Sequence, residues 1–184
     1  MIVHFQPILQ NNLILMQPLT ESDFEALFKV ASDPLIWEQH PNKNRYQREV
    51  FQNYFEGALQ SKGAMLILDK ATGEVAGCSR FYDYHESDAS VFIGYTFFGR
   101  KFWGKQYNPA SKQLMLDYAF QLVNTVKFHI GAKNIRSQIA IERVGAVKTK
   151  EVIIAYHGEP DRENFEYELK RENRTNTIKD QVNL

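Results

Sequence analysis

The 28 residues from Ala89 to Leu116 contain no Asp or Glu and carry Arg100, Lys101, Lys105 and Lys112. They open as a strand, Ala89 to Phe98, pass through a glycine-containing basic turn, Gly99 to Tyr107, and enter a helix at Asn108-Pro109, a cap residue followed by proline at the expected first helical position. Leu114, Met115, Tyr118, Ala119 and Leu122 then share one side as far as about Val123. Lys+Arg and Asp+Glu each number 22 in the 184-residue chain, so this is a local excess of four positive charges in a chain of zero net charge. Free N–H groups and the positive end of the macrodipole at such a helix start suit a phosphate or pyrophosphate. Gly104 lets the backbone approach that ligand closely. The competing reading is a solvated loop with scattered lysines. A P-loop and a dinucleotide fingerprint are excluded, because neither GxxxxGK[ST] nor GxGxxG occurs.

The flanking sequence supplies strands first and strands last. Leu13 to Leu19 reads as a strand, and Thr20-Glu21-Ser22-Asp23 as a helix start whose apolar face is Phe24, Leu27, Phe28 and Ala31. After a loop from Leu35 to Arg48, a second helix runs from about Gln47 to Lys62, with Phe51, Tyr54, Phe55 and Ala58 at helical spacing. Ala64 to Asp69 and Val75 to Tyr84 form an antiparallel hairpin through Ala71-Thr72-Gly73-Glu74. Thr125 to Ile130 is a strand and Asn134 to Val144 a short helix ended by Gly145. Val147 to His157 and Phe165 to Leu169 are the last strands, the latter expected at an exposed sheet edge where a second copy could pair. This order predicts an α+β domain over residues 1–170 of three-layer α/β/α type, followed by a polar tail, 171–184.

Hydrophobic content of 43% with 24% charged residues excludes a wholly disordered or collagen-like chain. Zero net charge gives no general attraction to nucleic acid or an anionic membrane. The first 19 residues lack the charged-then-apolar build of a signal peptide, and no apolar run is long enough to span a bilayer. A single cysteine, Cys78, fits a reducing, cytoplasmic compartment and reads as a small buried hydrophobe. The five histidines show no metal-ligand spacing, His129 reads as a sheet residue in strand alternation, and GxSxG is absent.

Two ordered motifs carry a resemblance. The run from Ile93 to Phe98, then Phe102-Trp103-Gly104-Lys105-Gln106-Tyr107-Asn108, then Leu114 to Phe120, resembles the acyl-CoA-binding core of the GNAT superfamily of N-acetyltransferases. About 30 residues on, Asn134 to Ala146 is similar to that family's fourth helix, and its Asn134, Ser137, Ala140 and Gly145-Ala146 are most similar to the ribosomal-protein N-terminal acetyltransferase branch. The resemblance spans about Leu13 to Leu169. It implies a mixed, mostly antiparallel sheet of about seven strands flanked by about four helices, with the fourth and fifth strands splayed by a bulge. It implies acetyl-CoA as cosubstrate and a primary amine, on a protein terminus or a small molecule, as acceptor, in a monomer or homodimer.

By the same resemblance, the backbone of Phe97 and Phe98 holds the pantetheine arm and polarises the thioester carbonyl. The backbone of Phe102, Trp103, Gly104, Lys105, Gln106, Tyr107 and Asn108 holds the pyrophosphate, and Asn134 contacts the pantetheine. The chain departs from the pattern at Gln106, where the family prefers almost no side chain, at Ile141, where many members carry a thiolate-protonating tyrosine, and at the apolar Val91, Phe92 and Ile93. Ser137 is then the hydroxyl nearest the thiolate, or an ordinary first-turn serine. Glu38 and His40, in a loop that borders the acceptor site in the family, are the candidate bases, or plain loop residues. Tyr82, Asp83, Tyr84, His85 and Glu86 could line a substrate rim. The rival readings are a CoA-binding module without catalysis and an interaction domain without a CoA site.

Overall fold

The computed structural model describes residues 3–155 and 161–174. Among them, eight strands form one sheet in the order β1-β2-β3-β4-β5-β6-β8-β7. They are β1 (Leu9–Gln10), β2 (Ile14–Pro18), β3 (Ala64–Asp69), β4 (Val75–His85), β5 (Ser90–Phe98), β6 (Thr125–Gly131), β7 (Val147–Ile154) and β8 (Arg162–Lys170). Every pairing is antiparallel except that of β5 with β6. Four α-helices accompany the sheet: α1 (Phe24–Ala31), α2 (Arg48–Gln60), α3 (Tyr107–Leu122) and α4 (Ile135–Glu142).

Side chains alternate across a strand, so the sheet feeds two cores. On one face Leu27 and Ala31 of α1 and Phe51, Tyr54, Phe55 and Ala58 of α2 pack on Leu66, Cys78 and Phe97. On the other, Met115, Leu116 and Ala119 of α3 and Ile141 of α4 pack on Ile67, Phe81, Ile93, Phe128 and Tyr167. The three-layer α+β arrangement follows. The sheet has one strand more than expected, because β1 is two residues long and too short to show alternation. The expected edge strand is also corrected: β8 lies inside the sheet, between β6 and β7, and β7 is the edge. Glu166 of β8 pairs with His129 on one side and Lys150 on the other. Tyr156 and His157, at the end of the strand predicted over Val147 to His157, and the tail from 175 lie outside the described residues.

The middle of β5 sets the geometry that matters. Cys78 pairs with Phe97 and Arg80 with Gly94, so a single β4 residue, Ser79, stands opposite two β5 residues, Tyr95 and Thr96. That is a β-bulge, and Tyr95 takes a left-handed φ of 53° to make it. The Tyr54 hydroxyl donates to the Tyr95 carbonyl at 2.8 Å, and the Arg80 guanidinium lies 3.9 Å from the Tyr95 ring centroid. β5 pairs with β6 only from Ser90 to Phe92. Beyond Phe92 the two part, while β6 continues with β8 as far as Gly131 opposite Asn164.

Beside the bulge, a Cβ on Gly77 would sit 2.0 Å from the Phe97 carbonyl oxygen and 3.0 Å from the Phe98 Cα. Backbone atoms cannot yield as a side-chain end can. Gly77→Ala is expected to destabilise the protein by at least about 1–3 kcal/mol, measured as a lower urea midpoint with an unchanged m-value.

Candidate active site

The turn after β5 is a 3-10 turn over Arg100–Phe102 followed by two left-handed residues, Gly104 (φ 71°) and Gln106 (φ 66°). A Cβ on Gly104 would meet nothing within 4 Å, so this part of the loop faces open space. Gln106 keeps the left-handed conformation that glycine adopts freely, and its side chain is aimed outward to solvent. α3 begins at Tyr107, two residues before the expected proline start, and Gln106 rather than Asn108 precedes it. Pro109 is the third helical residue, where its missing N–H has no intrahelical carbonyl to lose. No side chain caps α3, and the first-turn amides of Tyr107 and Asn108 have no intrahelical partner. The Asn108 Oδ1 is buried there without a hydrogen-bond partner.

The four-charge excess does not survive folding. Arg100 pairs with Asp33 and Lys101 with Glu74. The paired guanidinium holds the Asp33 carboxyl below the usual carboxylate range. Lys112 is buried, with its Nζ 2.8 Å from the Thr96 Oγ1, which is itself 2.8 Å from the Ser79 Oγ. Burial alone brings the Lys112 ammonium down to about 7. Lys105 is left as the exposed cation beside the α3 N-terminus, without a partner among the described residues.

Across the gap, Asn134 caps α4, its Oδ1 accepting from the Ser137 N–H at 3.2 Å. The Ser137 hydroxyl has no partner among the described residues and is half-buried. The Arg136 guanidinium lies 4.2 Å from the Trp103 ring centroid, and the Trp103 indole N–H donates to the Phe98 carbonyl at 2.9 Å. These contacts join the two sequence motifs, so residues 97–98, 102–108 and 134–137 converge on the opening between β5 and β6. Ile141 is buried in the α3–α4 core.

Of the two loop candidates, Glu38 is exposed. The His40 Nε2 lies 3.1 Å from the Arg45 Nη1, and because a guanidinium only donates, that ring lone pair is engaged. Burial and the Arg45 charge hold the His40 pKa well below the ordinary imidazole value. The loop borders the open end of the gap: a Cβ on Gly131, at the end of β6, would meet the Pro41 Cγ at 2.5 Å.

A further cluster had no sequence signal, because sheet register alone creates it. His129 of β6 stands opposite Glu166 of β8. Its Nε2 is 3.1 Å from the Glu166 Oε2, and its Nδ1 is 3.4 Å from the Tyr82 Oη. Among the described residues there is no group of three or more His, Cys, Asp or Glu able to hold a metal, and no helix long and apolar enough to cross a membrane.

Residues 13–147 match a family sequence model described as an acetyltransferase (GNAT) domain. The chain belongs to the GNAT acetyltransferase family. Its fold is similar to that of a GCN5-related N-acetyltransferase from Brucella melitensis, at a TM-score of 0.78 and 17% identity over 91% of this chain and 80% of that one. A GNAT-family acetyltransferase from Bacillus anthracis is similar at a TM-score of 0.72 and 18% identity, over 90% and 99% of the two chains. Mycobacterium smegmatis RimJ, solved in complex with CoA-disulfide, is similar at 0.67 and 16%, over 86% and 82%. The family places the bulged β5, the uncapped α3 and α4 in an acetyltransferase frame.

Two substitutions test the strained and buried positions. Gln106→Gly relieves a left-handed side-chain residue and is expected to stabilise the protein by roughly 1 kcal/mol, seen in the urea midpoint. For Lys112, the folded protein holds fewer protons than the unfolded chain between about 7 and the ordinary lysine value of 10.5. Stability therefore rises with pH across that window. Lys112→Met is expected to stabilise the protein at pH 6 by on the order of a few kcal/mol, a gain that shrinks towards pH 10.

Proposed function

We propose that this acetyltransferase moves an acetyl group from acetyl-CoA to a primary amine, on a protein N-terminus or a small molecule, by direct attack in a ternary complex. The observation that carries the reading is the parting of β5 from β6 beside a bulge, next to a helix start whose Tyr107 and Asn108 amides have no partner among the described residues. The β5 backbone at Phe97 and Phe98 takes the pantetheine arm as an added strand, the arm displacing the Trp103 indole from the Phe98 carbonyl. Of the amides from Phe102 to Asn108, those of Phe102, Trp103 and Lys105 donate to carbonyls of the turn, and those of Gly104, Gln106, Tyr107 and Asn108, with Gly104 giving close approach and Lys105 adding charge, take the pyrophosphate. Asn134 fixes the start of α4 beside the arm, and in this reading the Ser137 hydroxyl, without a partner among the described residues, donates to the departing thiolate.

Glu38, exposed in the loop, is open to proton exchange with solvent, while the Arg45 contact makes His40 a residue that shapes the loop. The resemblance of Asn134, Ser137, Ala140 and Gly145-Ala146 to the ribosomal-protein N-terminal acetyltransferase branch supports a protein N-terminus as one acceptor class. We place the reaction in the cytoplasm, in a monomer or homodimer. A second reading, a CoA-binding module without turnover, is favoured by Ile141, whose buried apolar side chain has no proton to give a thiolate.

Thermal unfolding with acetyl-CoA, with ATP as the anionic control, tests the site. At about a hundred times its dissociation constant, acetyl-CoA is expected to add roughly 2.7 kcal/mol, a shift of several degrees. Gly104→Glu should abolish the shift while the variant still unfolds cooperatively. Absence of a shift at millimolar acetyl-CoA sinks the reading, and CoA release over an amine panel separates enzyme from module.

A further inference from the structure

We infer that Tyr82, His129 and Glu166 form a proton relay on the acceptor side of the β5–β6 gap, in which His129 is the base for the attacking amine through the Tyr82 hydroxyl. The inference rests on the acetyl-transfer reading and names the group that performs its proton step.

The position comes from the sheet. His129 lies two residues beyond Lys127, the last β6 residue paired with β5, and so at the point where the strands separate. Val126, Phe128 and Ile130 point into the α3–α4 core, which puts the His129 side chain on the opposite face, away from the helix that would hold the pyrophosphate. Tyr82 reaches the same point from β4. Its ring covers Gly94, where a Cβ would meet the Tyr82 Cε1 at 3.0 Å and the Oη at 3.2 Å. The Tyr82 ring also packs edge-on against Tyr95, the bulge residue, with centroids 5.1 Å apart. The phenol therefore bridges the bulge on β5 and the imidazole on β6.

The chemistry comes from donor and acceptor logic. An ionised carboxylate only accepts, so the Glu166 Oε2 fixes the proton of His129 on Nε2. Nδ1 then presents its lone pair to the Tyr82 hydroxyl. Carboxylate, imidazole and hydroxyl stand in the order that moves a proton from the hydroxyl end inward. Glu166 is 4% exposed, a costly place for a carboxylate, and its Oε1 has Lys150 Nζ at 3.3 Å. The charged and titratable groups facing His129 are Glu166 from β8, Lys150 from β7, and Tyr82 and Asp83 from β4. Its strand neighbour Lys127 is tied to Asp88 at 2.8 Å. Burial lowers the His129 pKa below the ordinary imidazole value, against the raising effect of Glu166, and so keeps Nδ1 free to accept at neutral pH.

In the step itself, the amine nitrogen bonds to the thioester carbonyl carbon and the C–S bond breaks, its electron pair leaving on the CoA sulfur. The amine proton passes to the Tyr82 Oη as the Tyr82 proton passes to the His129 Nδ1. The thiolate takes up a proton to become the thiol, and His129 returns its own to solvent.

The test uses the full chain with acetyl-CoA and, as acceptors, spermidine and peptides beginning with Ser, Ala or Met. Thermal shift by acetyl-CoA is recorded for every variant, separately from CoA release. His129→Gln is expected to lower kcat by roughly 10²–10⁴-fold, with the acetyl-CoA shift and KM unchanged. Glu166→Gln should move the acid limb of kcat to lower pH, because the charge that raises the imidazole pKa is gone. Tyr82→Phe should lower kcat without moving that limb. Should His129→Gln fail to fold, the Glu166→Gln limb decides. A His129→Gln kcat within about threefold of wild type overturns the relay. So does an unmoved limb in Glu166→Gln, or a wild type that shifts with acetyl-CoA yet turns over none of these amines. A wild type that does not shift overturns the acetyl-CoA reading and the relay with it.

Discussion

One extra residue in β5 decides how the rest of the molecule is built. With Tyr95 and Thr96 both opposite Ser79, the strand bends, and β6 can follow it for only three residues. A tyrosine at positive φ costs roughly 1–2 kcal/mol, and neighbours on both faces hold it there. From the α2 side come the Tyr54 hydroxyl and the Arg80 guanidinium, which lies 5.3 Å from one ring centroid and 3.9 Å from the other. From the α3 side come Lys112, Thr96 and Ser79 in a hydrogen-bonded chain. The two helical layers are thus braces for a strand defect as well as covers for a sheet.

Both braces are unusual in the same way. Arg80 is 3% exposed and Lys112 6%, and neither has a carboxylate partner among the described residues. Each relies on neutral oxygens instead, the Tyr54 carbonyl for Arg80 and the Thr96 hydroxyl for Lys112. Burial brings the Lys112 ammonium down to about 7, so the brace on the α3 side loses its charge as the pH rises past neutral.

Local pattern carried most of the fold. The Ala71-Thr72-Gly73-Glu74 turn marked the β3–β4 hairpin, alternation marked β6, the Thr20 cap marked the start of the segment leading to α1 and Gly145 the end of the α4 segment, because these signals are local in the chain. The convergence of residues 97–108 and 134–137 was legible for a different reason, the order and spacing of two motifs. What stayed hidden depends on chain segments far apart. Asp33 and Glu74 neutralise Arg100 and Lys101 from 67 and 27 residues away. Glu166 meets His129 only through the β6–β8 register, 37 residues off, and Lys112 looks like any helix-surface lysine until its strand bulges towards it.

The chain has two tryptophans, and the fold gives them opposite surroundings. Trp37 is 2% exposed, its indole N–H bound to the Ala31 carbonyl, in the middle of an aromatic core. Trp103 is 37% exposed, hydrogen-bonded to the Phe98 carbonyl and covered by Arg136. A strand laid along β5 would compete with the Trp103 N–H for that carbonyl and would change the surroundings of the exposed indole. The protein therefore carries its own optical gauge of the opening: one indole whose emission follows occupancy, and a second, sealed one that serves as the internal reference.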